Sequence, residues 1–313
     1  MAGVLDSVNQ RTQLVGANRL ELLLFKLNGR QRFGINVFKV REVLQCPPLT
    51  SMPMLNPLVR GVAHIRGQTI SVIDLSMATG GKRIEDLDKR FIIISEYNRS
   101  VQGFLVDSVE RIININWDSV MPPPQGSGKK SYLTAVTEID KELIEILDVE
   151  KILDEITPVN TDVSKEITVG LDLSSVKDKI IFIADDSAVA RKQVTKALTT
   201  LGLEIEVAKN GLEALQRLKK IAAETKSGDV TERVGVLVSD IEMPEMDGYT
   251  LTAEIKNTPE LKNLHIVLHT SLSGVFNQAM VKKVGADDFI AKFHPDELAR
   301  AVKKWLGLET DVE

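Results

Sequence analysis

The pattern of hydrophobic and polar positions changes character part-way along the chain. Between residues 20 and 156, short segments rich in Val, Ile, Leu and Phe are separated by turn residues, and several alternate apolar with polar side chains. Such alternation is typical of strands with one buried face, and many short strands indicate an antiparallel barrel or sandwich. The clearest segments are LELLLFKL (20–27), TISVIDL (69–75), RFIIISEY (90–97) and VQGFLVDSVERIININ (101–116).

The first part of the chain is therefore predicted to be an all-β domain over residues 1–156. Its proline-rich stretch MPPPQGSGKKSY (121–132) is expected to form a loop, because proline cannot donate to a strand ladder. The segment from Glu150 to Ile156 is expected to form a short closing helix. Residues 157–178 carry polar, turn-forming side chains without a sustained period, which predicts a linker.

From Lys179 onward, strand-like and helix-like segments alternate. KIIFIAD (179–185) contains a continuous apolar run, which suits a strand buried on both faces of a parallel sheet. Four further strands are predicted over 204–209, 234–240, 266–270 and 288–292, and helices over 187–202, 211–226, 250–257, 276–285 and 295–307. Five strand–helix units build a doubly wound, flavodoxin-like parallel sheet. This second domain, of the α/β class, is predicted over residues 179–309.

Length, charge and cysteine content narrow the class of protein. A chain of 313 residues is long enough for two domains, because single cores stop growing near ~250–300 residues. The formal net charge of -5 gives no electrostatic footprint for nucleic acid, and no run approaches the ~20 apolar residues that span a bilayer. The single cysteine, Cys46, fits a reducing compartment. We expect a soluble, cytoplasmic protein without nucleic-acid binding or direct membrane insertion.

Charged and hydroxyl side chains stand where the predicted parallel strands end. Asp185 and Asp186 follow the first strand, Asp240 ends the third, Thr270 the fourth and Lys292 the fifth. Because the carboxyl ends of such strands meet at one edge of the sheet, we expect these side chains to lie together. Three adjacent carboxylates repel one another unless a cation offsets their charge, and Mg²⁺ prefers such hard oxygen ligands. The sequence therefore predicts a magnesium site.

This group of residues also suits phosphoryl transfer. An aspartate carboxylate attacks phosphorus to form an acyl phosphate, as in aspartyl-phosphate enzymes. The ammonium of Lys292 would offset charge on the phosphoryl oxygens, and the hydroxyl of Thr270 would donate to one of them. Each residue alone has an ordinary structural explanation, such as a helix cap or a solvated surface charge. Only their joint position at one sheet edge predicts a site.

The motifs of this half resemble response-regulator receiver domains over residues 179–307. They are IADDS (183–187), SDIEMPEMDG (239–248), the Thr270-Ser271 pair and FIAK (289–292). The resemblance implies phosphorylation on Asp240, which makes Asp240, Thr270 and Lys292 the reactive set.

The same resemblance implies the magnesium ligands and a switch residue. Asp186 and Asp240 would bind Mg²⁺ directly, with Asp185 nearby and the main-chain carbonyl of Glu242 as a further ligand. Phe289 matches the aromatic position that moves when the threonine hydroxyl is drawn toward the phosphoryl group. Simple core packing is an equally good explanation of Phe289.

The first half resembles the chemotaxis coupling protein family CheW. The likeness is carried by FGINVFKVREVLQ (33–45) and LTSMPMLNPLVRGVAHIRGQTISVIDL (49–75), with its paired Arg-Gly turns. It implies two small packed barrels that bind chemoreceptor signalling tips and the histidine kinase CheA. Arg66 matches a family arginine near the receptor-binding groove, although a turn arginine paired with a local carboxylate is an equal alternative.

A CheW-like domain followed by a receiver domain resembles CheV-type coupling proteins. This resemblance implies a cytoplasmic signalling adaptor at receptor arrays, which couples chemoreceptors to CheA and is regulated by phosphorylation on Asp240. Two alternatives stay open, a phosphate sink that drains the kinase and a response regulator with another effector role. A kinase is not expected, because no nucleotide-binding glycine motif is found. Beyond self-catalysed phosphotransfer, we do not expect an enzyme.

Overall fold

A computed structural model describes residues 19–53, 56–97, 100–123, 132–156, 161–169, 171–270, 281–292 and 294–308. The chain forms two compact units, one from Arg19 to Val159 and one that contains Asn160–Glu313. Most of the loop predicted over 121–132 lies outside the described residues, as does the first part of the helix predicted over 276–285. In the described part of the chain, no helix has the length and apolar character that crossing a bilayer requires.

The described residues of the unit from Arg19 to Val159 form two β-sheets. One has the strand order β8-β1-β2-β11-β10-β9 and the other β3-β6-β7-β5-β4, mostly with antiparallel neighbours. The apolar segment 101–116 forms two strands, β7 and β8, that belong to different sheets. The strands are β1 (Arg19–Lys26), β2 (Arg32–Asn36), β3 (Glu42–Gln45), β4 (Val59–Ile65), β5 (Gln68–Asp74), β6 (Phe91–Tyr97), β7 (Ser100–Val106), β8 (Ser108–Asn116), β9 (Val120–Met121), β10 (Leu133–Ile139) and β11 (Glu142–Leu147).

Alternate side chains of the central strands face two different cores. Leu22 and Leu24 of β1 pack with Ile144 in the core of their own sheet. Leu23 and Phe25 face the opposite way, into a core that they share with strands of the second sheet. Because successive side chains point to opposite faces, a strand between two cores carries apolar residues on both faces, as the run LLLF (22–25) of β1 does. The second sheet encloses a further core of its own, and together the sheets confirm the all-β prediction.

Short helices close this unit. They are α1 (Leu75–Ala78) and α2 (Val149–Ile156), with 3-10 turns at Val37–Lys39, Leu87–Lys89 and Trp117–Ser119. The apolar residues of α2 pack into the shared core, where the sequence predicts a closing helix.

A buried ion pair holds the start of α1. Asp74 caps this helix by accepting a hydrogen bond from the backbone N–H of Met77, at 3.1 Å. Its other oxygen accepts from Nη1 of Arg60 at 2.8 Å and from the N–H of Ile84 at 3.0 Å. The side chains of Arg60 and Asp74 are 4% and 0% exposed. One carboxylate therefore ties together β4, α1 and the segment that follows.

The second unit is built on an all-parallel sheet in the order β13-β12-β14-β15-β16. The order and the five strands confirm the flavodoxin-like prediction, and the five residues of β12 are all buried. The strands are β12 (Ile180–Ala184), β13 (Glu204–Ala208), β14 (Val234–Ser239), β15 (His265–Thr270) and β16 (Asp288–Ala291). Its longer helices are α4 (Ala188–Thr199), α5 (Gly211–Glu224), α6 (Gly248–Asn257) and α7 (Pro295–Trp305), and residues 281–284 are also helical.

Part of the predicted linker packs on this second unit. Residues 165–168 form a short helix, α3 (Lys165–Thr168), in which Ile167 is 2% exposed. The backbone N–H and the hydroxyl of Ser164 both donate to the carboxylate of Asp296, at 2.8 and 2.6 Å. Lys303 donates to the carbonyl of Ile167 at 3.0 Å. This stretch is therefore fixed to α7 by hydrogen bonds, and its Ile167 side chain is buried.

Candidate phosphorylation and metal site

Three carboxylates meet at the carboxyl edge of the parallel sheet. Strands β12 and β14 are neighbours, with Ala184 paired to Ser239, so the residues that follow them lie side by side. The N–H of Asp240 donates to the carbonyl of Ala184 at 2.8 Å, which fixes this alignment. Carboxylate oxygens of Asp185, Asp186 and Asp240 lie within 4.8 Å of one another. The structure thus brings the three predicted acidic residues together.

A buried lysine joins two of these carboxylates. The ammonium of Lys292 lies 2.7 Å from Oδ2 of Asp185 and 2.8 Å from Oδ2 of Asp240. Lys292 is 2% exposed, and its main-chain N–H donates to the carbonyl of Thr270 at 2.8 Å. A buried charge requires a partner, and here one cation partly offsets two anions. Thr270, which is fully buried, is thus attached to the same edge through its backbone.

Burial governs the protonation of this cluster. It raises the pKa of Asp185 to about 8, because a carboxylate removed from water disfavours its charged form. That value is the net result, because the Lys292 ammonium lowers the pKa of Asp185 and the neighbouring carboxylates of Asp240 and Asp186 raise it. A proton and a cation therefore compete for the same group of oxygens.

The donor set fits magnesium. Carboxylate oxygens are the hard ligands that Mg²⁺ prefers, and three of them converge here. When bound, Mg²⁺ would offset the charge of the carboxylates and of incoming phosphoryl oxygens. Receiver domains as a class commonly bind Mg²⁺, and the residues of this chain that would hold it are Asp185, Asp186 and Asp240.

Two further predicted site residues lie near this edge. Glu242 follows Asp240 by two residues and is half-buried, and its carboxylate does not belong to the cluster found among the described residues. The role of its main-chain carbonyl stays a prediction. Phe289 in β16 is half-buried and packs against the core of its own unit, as the packing alternative expects. Its role as a switch also stays a prediction.

Arg66 lies in the turn between β4 and β5, away from any carboxylate cluster among the described residues. Its guanidinium donates to both oxygens of Glu42, from Nε at 3.0 Å and from Nη2 at 2.8 Å. The local pairing that was the alternative explanation is therefore present. The Arg66 side chain is nevertheless 73% exposed, and its role in docking stays a prediction.

Comparison with known proteins identifies both halves. The model of the CheW-like domain matches residues 21–157, and that of the response regulator receiver domain matches residues 181–303. The chemotaxis protein CheV3 of Helicobacter pylori is 30% identical over 304 residues, which cover 92% of this chain and 95% of that protein. The chain belongs to the CheV family.

The chain is also similar to a second CheV protein and, over part of its length, to a solved CheW structure. The chemotaxis protein CheV1 of Helicobacter pylori is 28% identical over 329 residues, covering 98% of this chain and all of that protein. The scaffolding protein TtCheW of Thermoanaerobacter tengcongensis is 26% identical with a TM-score of 0.41, covering 45% of this chain and 95% of that one. As a CheV-family protein, the chain is a chemotaxis coupling adaptor with a phosphorylatable receiver domain.

The motif SDIEMPEMDG (239–248) contains a glycine whose importance only the structure reveals. Gly248 begins α6, and a Cβ atom added there would lie 2.1 Å from the carbonyl oxygen of Asp240 and 2.9 Å from Cα of Ile241. Both neighbours are backbone atoms that cannot rotate away. In the sequence, the position of this glycine eight residues after Asp240 does not by itself indicate a contact.

Gly248→Ala is therefore expected to displace the Asp240 backbone. We expect a loss of about 3 kcal/mol in the free energy of unfolding, at the upper end of overpacking costs, and weaker binding of beryllofluoride with Mg²⁺. Thermal unfolding and a beryllofluoride titration would measure the two effects. Gly34→Ala is the control, because its added Cβ would meet only side-chain atoms at ordinary distances of 3.4 Å or more. Equal behaviour of the two variants would contradict the prediction.

Proposed function

We propose that the unit from Arg19 to Val159 couples chemoreceptor signalling tips to the histidine kinase CheA, and that phosphorylation of Asp240 regulates this coupling. The observation that carries the proposal is the buried Lys292 ammonium, shared between Asp185 and Asp240 at the carboxyl edge of the sheet. This arrangement stands in a chain whose other half is CheW-like. In this proposal, the carboxylate–lysine cluster responds to the charge of a phosphoryl group, and the unit from Arg19 to Val159 supplies the docking surface.

The reactive group in this proposal is the carboxylate of Asp240. Its Oδ1 accepts from the N–H of Ile241 at 2.7 Å, and its Oδ2 accepts from Lys292, so the side chain is held in one orientation. One carboxylate oxygen bonds to phosphorus as the bond between phosphorus and its donor atom breaks. Lys292 and the hydroxyl of Thr270 then offset the charge on the phosphoryl oxygens. Mg²⁺, held by Asp185, Asp186, Asp240 and the Glu242 carbonyl, would add further charge neutralisation.

Phosphorylation changes what Lys292 contacts. An acyl phosphate carries its charge on the phosphoryl oxygens rather than on the aspartate oxygens, so the ammonium follows that charge. The main-chain N–H of Lys292 is bonded to the carbonyl of Thr270, so a shift of the Lys292 backbone would act on the ends of both β15 and β16. Phe289 in β16 would repack in response. A difference of a few kcal/mol between two arrangements is enough to shift the population of docked states.

The adaptor is proposed to act in the cytoplasm at receptor arrays. It takes the phosphoryl group on its own carboxylate and turns over no separate substrate, so its chemistry is self-catalysed phosphotransfer. Arg66 contributes to docking in this proposal, because its exposed guanidinium is held in a fixed direction by Glu42.

Co-sedimentation with receptor-containing membranes and CheA tests this function. We expect the full-length protein to sediment, and beryllofluoride with Mg²⁺ to change the amount bound or the kinase activity. Asp240→Asn should sediment without responding to beryllofluoride, and Arg66→Ala should sediment several-fold less. Equal binding in every condition would favour the phosphate sink, and failure of the wild type to sediment would overturn the coupling role.

A further inference from the structure

An arginine of α4 contacts the backbone between the two adjacent aspartates. Nη1 of Arg191 donates to the main-chain carbonyl of Asp185 at 2.7 Å. Arg191 lies in the first turn of α4, where its own N–H donates to the carbonyl of Ser187 at 2.9 Å. The guanidinium thus folds back from the helix onto the end of β12. Its partner is the carbonyl of the peptide group that links Asp185 to Asp186.

The other polar groups of Asp185 are held by different elements. Its N–H donates to the carbonyl of Ala208 at 3.2 Å. Its Oδ1 accepts from the N–H of Ser187 at 2.8 Å, and its Oδ2 is bound to Lys292. The contact with Arg191 completes this set by fixing the carbonyl. Since one planar peptide group joins the two residues, its orientation links the backbone conformations from which both carboxylates project.

We propose that Arg191 is a positioning residue for the magnesium site, acting through the peptide between Asp185 and Asp186. This inference rests on the proposed function of the cluster. A carboxylate pair that is already oriented binds a cation without a further ordering cost. Partners of metal ligands that lie outside the coordination shell typically change metal affinity by about 10–100-fold when they are removed.

The charge of Arg191 acts in the opposite direction. A guanidinium near three carboxylates repels a divalent cation, so removing its charge alone would tighten Mg²⁺ binding. Arg191 is half-buried, and solvent reduces this through-space repulsion, whereas the hydrogen bond to Asp185 is direct. We therefore expect the loss of positioning to outweigh the loss of repulsion. Because the two effects change the Mg²⁺ affinity in opposite directions, the sign of the measured change distinguishes them.

The test is a titration of the full-length protein with MgCl₂, followed by the amide signals of the receiver. Arg191→Met keeps the aliphatic stem but loses the donors, and we expect its Mg²⁺ Kd to rise about 10-fold. Arg191→Lys keeps the charge with a single donor group, and its Kd should fall between those of wild type and Arg191→Met. The melting temperature without Mg²⁺ should change little in either variant.

Arg217→Ala is the matched control. Arg217 also donates to a strand carbonyl, that of Val207, and pairs with Glu206 at 2.7 Å, but on the edge strand β13. The Arg217→Ala substitution should leave the Mg²⁺ Kd unchanged.

An unchanged or smaller Kd for Arg191→Met would overturn the positioning role while leaving the proposed function intact. If Arg191→Met failed to fold, Arg191→Lys would decide by the same criterion. Absence of Mg²⁺ binding by wild type would overturn both proposals.

Discussion

Asp240→Asn is expected to abolish phosphoryl incorporation while the fold stays intact. An amide oxygen is a far weaker nucleophile than a carboxylate, so the acyl phosphate does not form. Asparagine keeps the shape of the side chain, and its oxygen still accepts from the N–H of Ile241 or from Lys292. Lys292 also keeps its contact with Asp185. Incubation with radiolabelled phospho-CheA would measure the loss, which should reach the detection limit.

Glu245→Gln is the control for this experiment. Glu245 belongs to the same loop, and its carboxylate accepts from Asn210 at 3.0 Å outside the carboxylate cluster. It should take up label as the wild type does. If Asp240→Asn were still labelled at the wild-type stoichiometry, the acceptor would be another carboxylate, with Asp186 the first to examine.

Asp74→Ala is expected to produce the largest loss of stability in the first unit. The substitution leaves the Arg60 guanidinium buried without its carboxylate and removes the acceptor of the Ile84 N–H. Breaking a buried ion pair by removing one partner costs about 3–5 kcal/mol, because an uncompensated charge stays in the interior. Each of the two units contains one tryptophan, so in a Trp305→Phe background the fluorescence of Trp117 reports this unit alone. Urea unfolding would give the difference.

Glu42→Ala provides the comparison for an exposed pair. It removes the partner of Arg66, whose side chain is 73% exposed, and exposed ion pairs contribute about 0–1 kcal/mol. The two variants therefore delete a similar arginine–carboxylate contact in different surroundings. If Asp74→Ala were no more destabilised than Glu42→Ala, burial of the Arg60–Asp74 pair would not be what stabilises this unit.

Much of the fold follows from local pattern. The continuous apolar run of β12 predicts a strand buried on both faces, and all five of its residues are buried. Strand ends in a parallel sheet converge, so the positions of Asp185, Asp240 and Lys292 at those ends already predict that they meet. The family resemblance of both halves, confirmed by comparison, rests on the same short motifs.

Other features depend on contacts between distant positions. The segment 157–178 has no clear period and its composition predicts a linker, yet Ile167 is buried and Ser164 binds Asp296, 132 residues away. The sequence does not indicate that Glu42 is the partner of Arg66 either, because the two residues are 24 positions apart. The burial of Lys292 and the lack of space for a side chain at Gly248 also depend on how separate elements pack.

The sequence by itself determined the two domain types, the five-stranded parallel sheet and the identity of the acidic cluster. These features could be predicted because the spacing of apolar residues and the residues at strand ends are local properties of the chain. They do not depend on how the elements pack together. Only the tertiary structure decided which core each face of β1 enters and which carboxylates share Lys292. These are pairings between surfaces brought together by folding, and no single stretch of residues encodes them.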